Sequence, residues 1–176
     1  MEITDIIEGN KRYTGTIDKR LLKELAERGQ KPAATIISCS DSRVPTEVIF
    51  DQLSPGNFFV IRIAGNIVAD SSVKGSIEYA VTHLKTPYLI VLGHTECGAV
   101  KARLEGTATG EIGNLIKHIE IKSRELNQAI KENIYLQVNR VHEMECIKNA
   151  ISSKTIEIHG MLYDLETGTV EHLTKN

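Results

Sequence analysis

The sequence predicts an α/β fold, with a mainly parallel central sheet of four strands, a short C-terminal edge strand and flanking helices. Three observations predict it. Short apolar runs of strand length, at 33–37, 58–63 and 88–92, are separated by longer stretches whose apolar residues recur at helical spacing. Strands joined through helices pair in parallel, because the crossover has to return over a face of the sheet. Near the C-terminus, 155–161 alternates and is followed, after Asp164-Leu165-Glu166-Thr167-Gly168, by a second alternating run at 169–173. That spacing suits a hairpin.

Taken in order, residues 2–13 read as a helix with Ile3, Ile6 and Ile7 on one stripe. Residues 17–28 read as a second helix, with Leu21, Leu22 and Leu25 inward and Gly29 as its stop. Lys31-Pro32 breaks the chain before a first strand at 33–39. Pro45, tolerated in a helix's first turn, opens a short helix at 45–51. Ser54-Pro55-Gly56-Asn57 is a turn. The second strand, 58–63, is interrupted only by Arg62, and Ala64-Gly65-Asn66 follows as a tight loop.

Asp70 or Ser71 caps the next helix, where Val73, Ile77, Ala80, Val81 and Leu84 share a face until Thr86-Pro87 ends it. The third strand is 88–92. A helix runs from near Cys97 to Gly106, and small polar residues fill 107–110. Two helices are expected at about 112–131 and 133–151, striped by Ile112, Leu115, Ile116 and Ile119 and then by Ile134, Val138, Val141, Met144, Ile147 and Ile151. No repeat or dividing linker interrupts the chain, so 1–176 is read as one domain.

The composition, 41% hydrophobic and 25% charged, is that of an ordinary globular protein rather than a disordered or membrane chain. A net charge of −2 without a long basic run argues against nucleic-acid or membrane-surface partners. No apolar stretch approaches the roughly 20 residues that span a bilayer. The N-terminus lacks the basic and apolar regions of a signal peptide, so a cytoplasmic location is expected. Three cysteines are too few for a disulfide framework, which agrees with a reducing compartment.

Chemistry concentrates in two stretches. Cys39-Ser40-Asp41-Ser42-Arg43 places a thiol, a carboxylate and a guanidinium at alternate positions, which share a face in extended backbone. His94-Thr95-Glu96-Cys97-Gly98 offers an imidazole and a second thiol. Both follow predicted strands, and open parallel sheets form their sites outside the carboxyl ends of strands. Two thiolates and an imidazole suit zinc.

Either cysteine by itself would read as a small buried side chain. A structural zinc would require a fourth Cys or His. Cys146 sits among apolar helical residues and reads as core. His83, His118, His142, His159 and His172 lack a partner at ligand spacing. Three ligands leave a fourth position open, the pattern of a catalytic site. Arg43 would keep Asp41 ionised and hold it off the metal, leaving the carboxylate to accept a hydrogen bond from a nucleophile and aim it. Gly98 would let a backbone N–H approach the same carboxylate. Glu96 reads as structural or solvated.

These residues resemble a β-class carbonic anhydrase, through the paired C-x-D-x-R and H-x-x-C-G motifs in this order. Ile7-Glu8-Gly9-Asn10-Lys11-Arg12-Tyr13, Arg62-Ile63-Ala64-Gly65-Asn66 and Gly160-Met161-Leu162-Tyr163-Asp164 with Gly168 add to the resemblance, while 107–150 contributes little. The resemblance implies zinc held by Cys39, His94 and Cys97. It makes Asp41 a mobile fourth ligand or hydrogen-bond partner of the nucleophile, and Arg43 its orienter. It implies reversible hydration of CO2 to bicarbonate and a proton, with hydrolysis of CS2 or carbonyl sulfide as the alternative at the same kind of site.

It further implies a homodimer or tetramer with the cleft lined across the interface. Gln30, Phe58 and Tyr79 match the cleft residues of the plant-like branch. Ile36 stands where the bicarbonate-regulated branch has Trp, which places the chain with the unregulated branch. Ile63 and Glu96 depart from the commoner Asn and Asp. The stripe of Ile3, Ile6 and Ile7 is poorly placed for burial within one small domain and is expected to pack on a partner subunit.

Overall fold

The computed structural model describes residues 1–175 as two compact units, the first Met1–Lys31 and the second beginning at Pro32. In the first unit, α1 (Ile3–Thr16) starts where Asp5 accepts the Glu2 backbone N–H at 2.7 Å. Asp18 caps α2 (Lys19–Arg28) by accepting the Arg20 N–H. Gly29, at φ 74°, ends it in backbone that favours glycine. Ile3, Ile6 and Ile7 are 68%, 59% and 54% exposed, so their stripe is not covered within its own unit.

The second unit is a five-stranded sheet in the order β2-β1-β3-β4-β5. β1 (Ala34–Ser38), β2 (Phe58–Arg62), β3 (Tyr88–His94) and β4 (Glu157–Tyr163) are mutually parallel, and β5 (Val170–Lys175) closes the edge antiparallel to β4. The expected fold class holds, hairpin included. β1 is buried along its whole length, as expected for a parallel strand covered on both faces. One face carries the main core, with Ile37, Leu89, Val91 and Ile158 under helices. The other carries a smaller cluster of Ile36, Val44 and Leu92, packed by Phe50, Phe58 and Leu165.

Between the strands lie α3 (Thr46–Ile49), a 3-10 turn at Ala64–Asn66, α4 (Ser71–Thr82), α5 (Gly98–Glu105), α6 (Gly110–Ile116), α7 (Leu126–Glu143) and α8 (Glu145–Ser152). None of the helices among the described residues is long and apolar enough to cross a membrane. α7 packs against β3 and β4 at two glycines. A Cβ on Gly93 would lie 2.5 Å from Ile134 Cγ1, and one on Gly160 would lie 3.2 Å from both Ile134 and Val138. A side chain at Gly93 would force the helix or strand to shift, and one at Gly160 would crowd it.

Two expectations are corrected. The helices expected at 112–131 and 133–151 are α6, a non-helical segment at 117–125, then α7 and α8. Residue 132 lies inside α7, where neither Gly nor Pro gives cause for a break. The true interruption buries Ile119 completely, and its backbone is satisfied by α7 side chains. Glu132 accepts the N–H groups of Lys122 and Ser123 at 2.7 and 3.1 Å. Arg140 and Gln137 donate to the His118 carbonyl at 2.7 and 3.3 Å. The third strand also runs two residues past 92. Gly93 and His94 remain in register with Leu162 and Tyr163 of β4, so His94 ends a strand rather than sitting in a loop.

Candidate metal centre

β1 and β3 are neighbours in register, Ser38 beside Leu92, so the chain leaving β1 meets the end of β3. Cys39 follows β1 directly, His94 closes β3, and Cys97 caps α5. One ligand atom from each lies within 4.8 Å of the others, and all three residues are buried. The two stretches singled out in the sequence converge as the strand order requires.

The donor set fits a metal on two independent grounds. First, His94 is 0% exposed and its Nδ1 lies 2.8 Å from the Thr95 carbonyl oxygen. A carbonyl only accepts, so Nδ1 carries the proton and Nε2 keeps its lone pair. That Nε2 is buried without a hydrogen-bond partner, an arrangement that costs stability unless something else occupies the lone pair. Metal-binding histidines have this second-nitrogen bond to a carbonyl. Second, the Cys39 and Cys97 thiols lie close enough to perturb each other's ionisation. The hydrogen bond from Cys97 makes Cys39 ionise far more readily than an isolated thiol, against the opposing effect of burial. The same bond, with burial and the neighbouring charge, pushes Cys97 up. A cation is what draws off the second proton.

Asp41 lies beside this cluster, its Oδ2 3.9 Å from His94 Nε2. The Arg43 guanidinium grips both its oxygens, Nε to Oδ1 at 2.9 Å and Nη2 to Oδ2 at 2.7 Å, and the Arg43 backbone N–H adds a third bond at 2.9 Å. The guanidinium and that N–H hold the Asp41 carboxyl far below the usual carboxylate range. Arg43 Nη2 also reaches the Glu96 carbonyl at 3.3 Å, tying the two loops together. Glu96 itself is exposed, at φ 57°, and ion-pairs with Lys101. Gly98 opens α5 but is not a donor to Asp41, whose oxygens are taken by Arg43.

Within the second unit, Phe58 and Tyr79, expected from the resemblance to line the cleft, are not gathered with this cluster. Phe58 pairs with Ala34, at the opposite end of β2 from Arg62, and stacks edge-on against Phe50 at 6.0 Å. Tyr79 sits exposed on α4 between Phe59 and His83. Gln30 is an exposed residue of the N-terminal unit. A polar cleft of about 360 Å3 opens beside the cluster, lined by Arg43, Thr95, Glu96, Asn127 and Asp164. A larger cavity of about 670 Å3, walled by His118, Arg140, Glu143 and Cys146, touches none of the three ligands.

Two supporting residues were not assigned these roles from the sequence. Arg62 donates to the carbonyls of Cys39 at 3.3 Å and Asp41 at 2.6 Å, which clamps the first loop. The Gly65 N–H donates to Cys39 Sγ at 3.3 Å. Both lie in the Arg62-Ile63-Ala64-Gly65-Asn66 motif, which was legible as a motif but not as a clamp. His159 and His172, read as partnerless, face each other across the β4–β5 hairpin with Nδ1 and Nε2 3.0 Å apart.

Comparison with known proteins agrees with this geometry. A family model described as carbonic anhydrase matches residues 34–170. A protein of Mycobacterium tuberculosis named carbonic anhydrase 2 is 37% identical, over 92% of this chain and 86% of the relative. A tetrameric β-carbonic anhydrase from Sordaria macrospora superposes with a TM-score of 0.89 at 26% identity, covering 99% of this chain and 98% of that one. A Coccomyxa β-carbonic anhydrase, solved with acetazolamide, gives 0.87 at 26% identity over 99% and 88%. The matched segment contains every member of the Cys39–His94–Cys97 cluster together with Asp41 and Arg43, and by that match the chain belongs to the β-class carbonic anhydrases.

Proposed function

We propose that this protein is a zinc enzyme that interconverts CO2 with bicarbonate and a proton, with Cys39, His94 and Cys97 as the zinc ligands. The observation that carries the reading is the unpartnered Nε2 of His94, buried between two thiols and beside an arginine-held carboxylate. Cys39, His94 and Cys97 would hold the metal with two thiolates and one neutral imidazole, a donor set that suits zinc and would balance the charge of a dication. Bound zinc supplies the Lewis acidity that brings the ionisation of water toward neutral pH.

The residues of the chain supply the rest. Asp41 accepts a hydrogen bond from the nucleophile and fixes the direction of its lone pair. Arg43 keeps Asp41 ionised, and its two-pronged grip keeps the carboxylate from turning onto the metal. Arg62 holds the carbonyls on either side of Ser40, so Cys39 and Asp41 keep their spacing. Nothing in this geometry favours CS2 or carbonyl sulfide over CO2.

The chain acts as one domain, in the cytoplasm, as an assembly of at least two copies. Exposed Ile3, Ile6 and Ile7 support the assembly, as does the tetrameric state of the Sordaria relative. Gln30, Phe58 and Tyr79 then serve the cleft of a neighbouring subunit. The protein belongs, on this reading, to the plant-like branch without a bicarbonate regulatory pocket; Ile36, fully buried in one cluster with Val44 and Leu92, supports that reading.

The test is metal analysis and stopped-flow CO2 hydration on purified protein, with CS2 and carbonyl sulfide assayed alongside. About one zinc per chain and rapid CO2 hydration are expected. Zinc-loaded protein that turns over either sulfur compound but not CO2 would replace the proposed substrate.

A further inference from the structure

Two amides lie in the core of the second unit with no part in the site as described so far. Asn133 and Gln137, one turn apart on α7, are 1% and 0% exposed. A buried amide costs stability unless every polar atom is paired, and an aliphatic side chain of similar size would fill the same space without that demand.

The bonding of the pair has only one polarity. Gln137 Oε1 accepts the Val68 backbone N–H at 2.8 Å and the Arg140 guanidinium at 3.3 Å, both of which can only donate. Its Nε2 must then be the donor, and it reaches Asn133 Oδ1 at 2.8 Å. That fixes the Asn133 amide in turn, and its Nδ2 donates to the Gly65 carbonyl at 3.0 Å. The N–H of Gly65 donates to Cys39 Sγ. A run of oriented amides therefore leads from Arg140 to a thiol of the metal centre.

Gly65 is suited to be the last link. Its φ is 72°, and a Cβ there would lie 3.1 Å from both Ala99 and Ile119. Gly65 has no side chain of its own to anchor the turn, and the Asn133 amide holds it by its carbonyl.

We infer that Asn133 is a positioning residue for the metal: it holds residue Gly65 by its carbonyl, so that the N–H on the other side of the same Cα bonds the Cys39 thiolate, with Gln137 setting the direction of the Asn133 amide. The inference rests on the zinc reading above. A hydrogen bond to a metal-bound thiolate withdraws electron density from sulfur and fixes its direction, and such outer partners typically change metal retention 10–100-fold.

The test uses Asn133→Leu, Gln137→Met and, as a control, Ile147→Val on α8, which is fully buried but outside the relay. Two readouts are taken on folded, loaded protein: the rate of zinc transfer to a chromogenic chelator, and the thiolate-to-metal absorption band of the cobalt form. Asn133→Leu is expected to release zinc about 10–100-fold faster and to shift the cobalt band. Gln137→Met should move both in the same direction by less, and Ile147→Val neither.

Folded Asn133→Leu with wild-type release and spectrum would overturn the inference. If that variant does not fold, unchanged release and spectrum in Gln137→Met would overturn it. The cadmium-loaded wild type needs no variant: a scalar coupling between the metal and the Gly65 amide proton is expected, and its absence would break the last link. A wild type that binds neither zinc nor cobalt would instead remove the metal reading itself.

Discussion

At the scale of the residue, Asp41 is held between two partners. Its Oδ2 lies 3.9 Å from the lone-pair nitrogen of His94 and 2.7 Å from Arg43 Nη2. The arginine holds the carboxylate in this structure, because it makes three bonds to it while His94 Nε2 lies beyond hydrogen-bond distance. Asp41→Ala is therefore expected to keep its zinc, since two thiolates and an imidazole suffice, but to lose CO2 hydration by about 100-fold or more, the usual effect of removing a positioned proton-handling group. Metal analysis and kinetics on the same sample check this. Zinc lost along with activity would make Asp41 an obligatory ligand. Cys39→Ala, His94→Ala and Cys97→Ala should each lose the metal.

At the scale of the element, α7 governs where His94 stands. It presses Ile134 into the space left by Gly93, the residue before the imidazole. Gly93→Ala forces the helix or the strand to move, at about 1–3 kcal/mol for overpacking. Thermal unfolding should show the loss, and zinc should leave faster than from an Ile147→Val protein. Unchanged stability would mean that α7 gives way more readily than its burial suggests.

The start of α4 offers a pH test away from the metal. Asp70 accepts the N–H groups of Val73 and Ser72, and these bonds hold its carboxyl below the ordinary value. The folded chain thus binds that proton less readily than the unfolded chain. The resulting stability is complete above the unfolded pKa of about 3.9 and fades as pH falls below it toward the depressed folded value. Asp70→Asn keeps a cap but cannot titrate, so its stability deficit against wild type should shrink between about pH 5 and pH 3. A deficit constant with pH would rule out this linkage.

At the scale of the whole molecule, the outward apolar stripe of α1 and the distance of Phe58 from the metal cluster raise the same question, what a second copy would cover. Sedimentation at micromolar concentration should find at least a dimer. A fully active monomer would show that no residue from another subunit is needed. Ile36 bears on regulation at the same scale. It is packed at 0% exposure, and its side chain has no N–H to offer an anion. Activity should therefore fall with decreasing pH as a single ionisation, unaltered by added bicarbonate. A steep, multi-proton loss deepened by bicarbonate would mean that position 36 does not mark the branch.

The sequence by itself determined the strand-and-helix alternation, the edge hairpin and the residues of the metal cluster. Apolar periodicity and the order of thiol, carboxylate, guanidinium and imidazole are local properties, and they survive without knowledge of neighbours. Only the tertiary structure decided that His94 is the last residue of a strand, because that depends on β4 continuing beside it to Tyr163. It alone decided the course of 107–150. Residues 117–125 contain neither Gly nor Pro to mark a break, yet N–H and C=O groups among them are claimed by Glu132, Gln137 and Arg140 from a helix that comes later in the chain. The roles of Arg62, Gly65 and Asn133 were hidden for the same reason. Arg62 and Asn133 act on backbone carbonyls far away in sequence and Gly65 acts through its own N–H on a distant thiol, contacts that leave no periodicity or spacing to read.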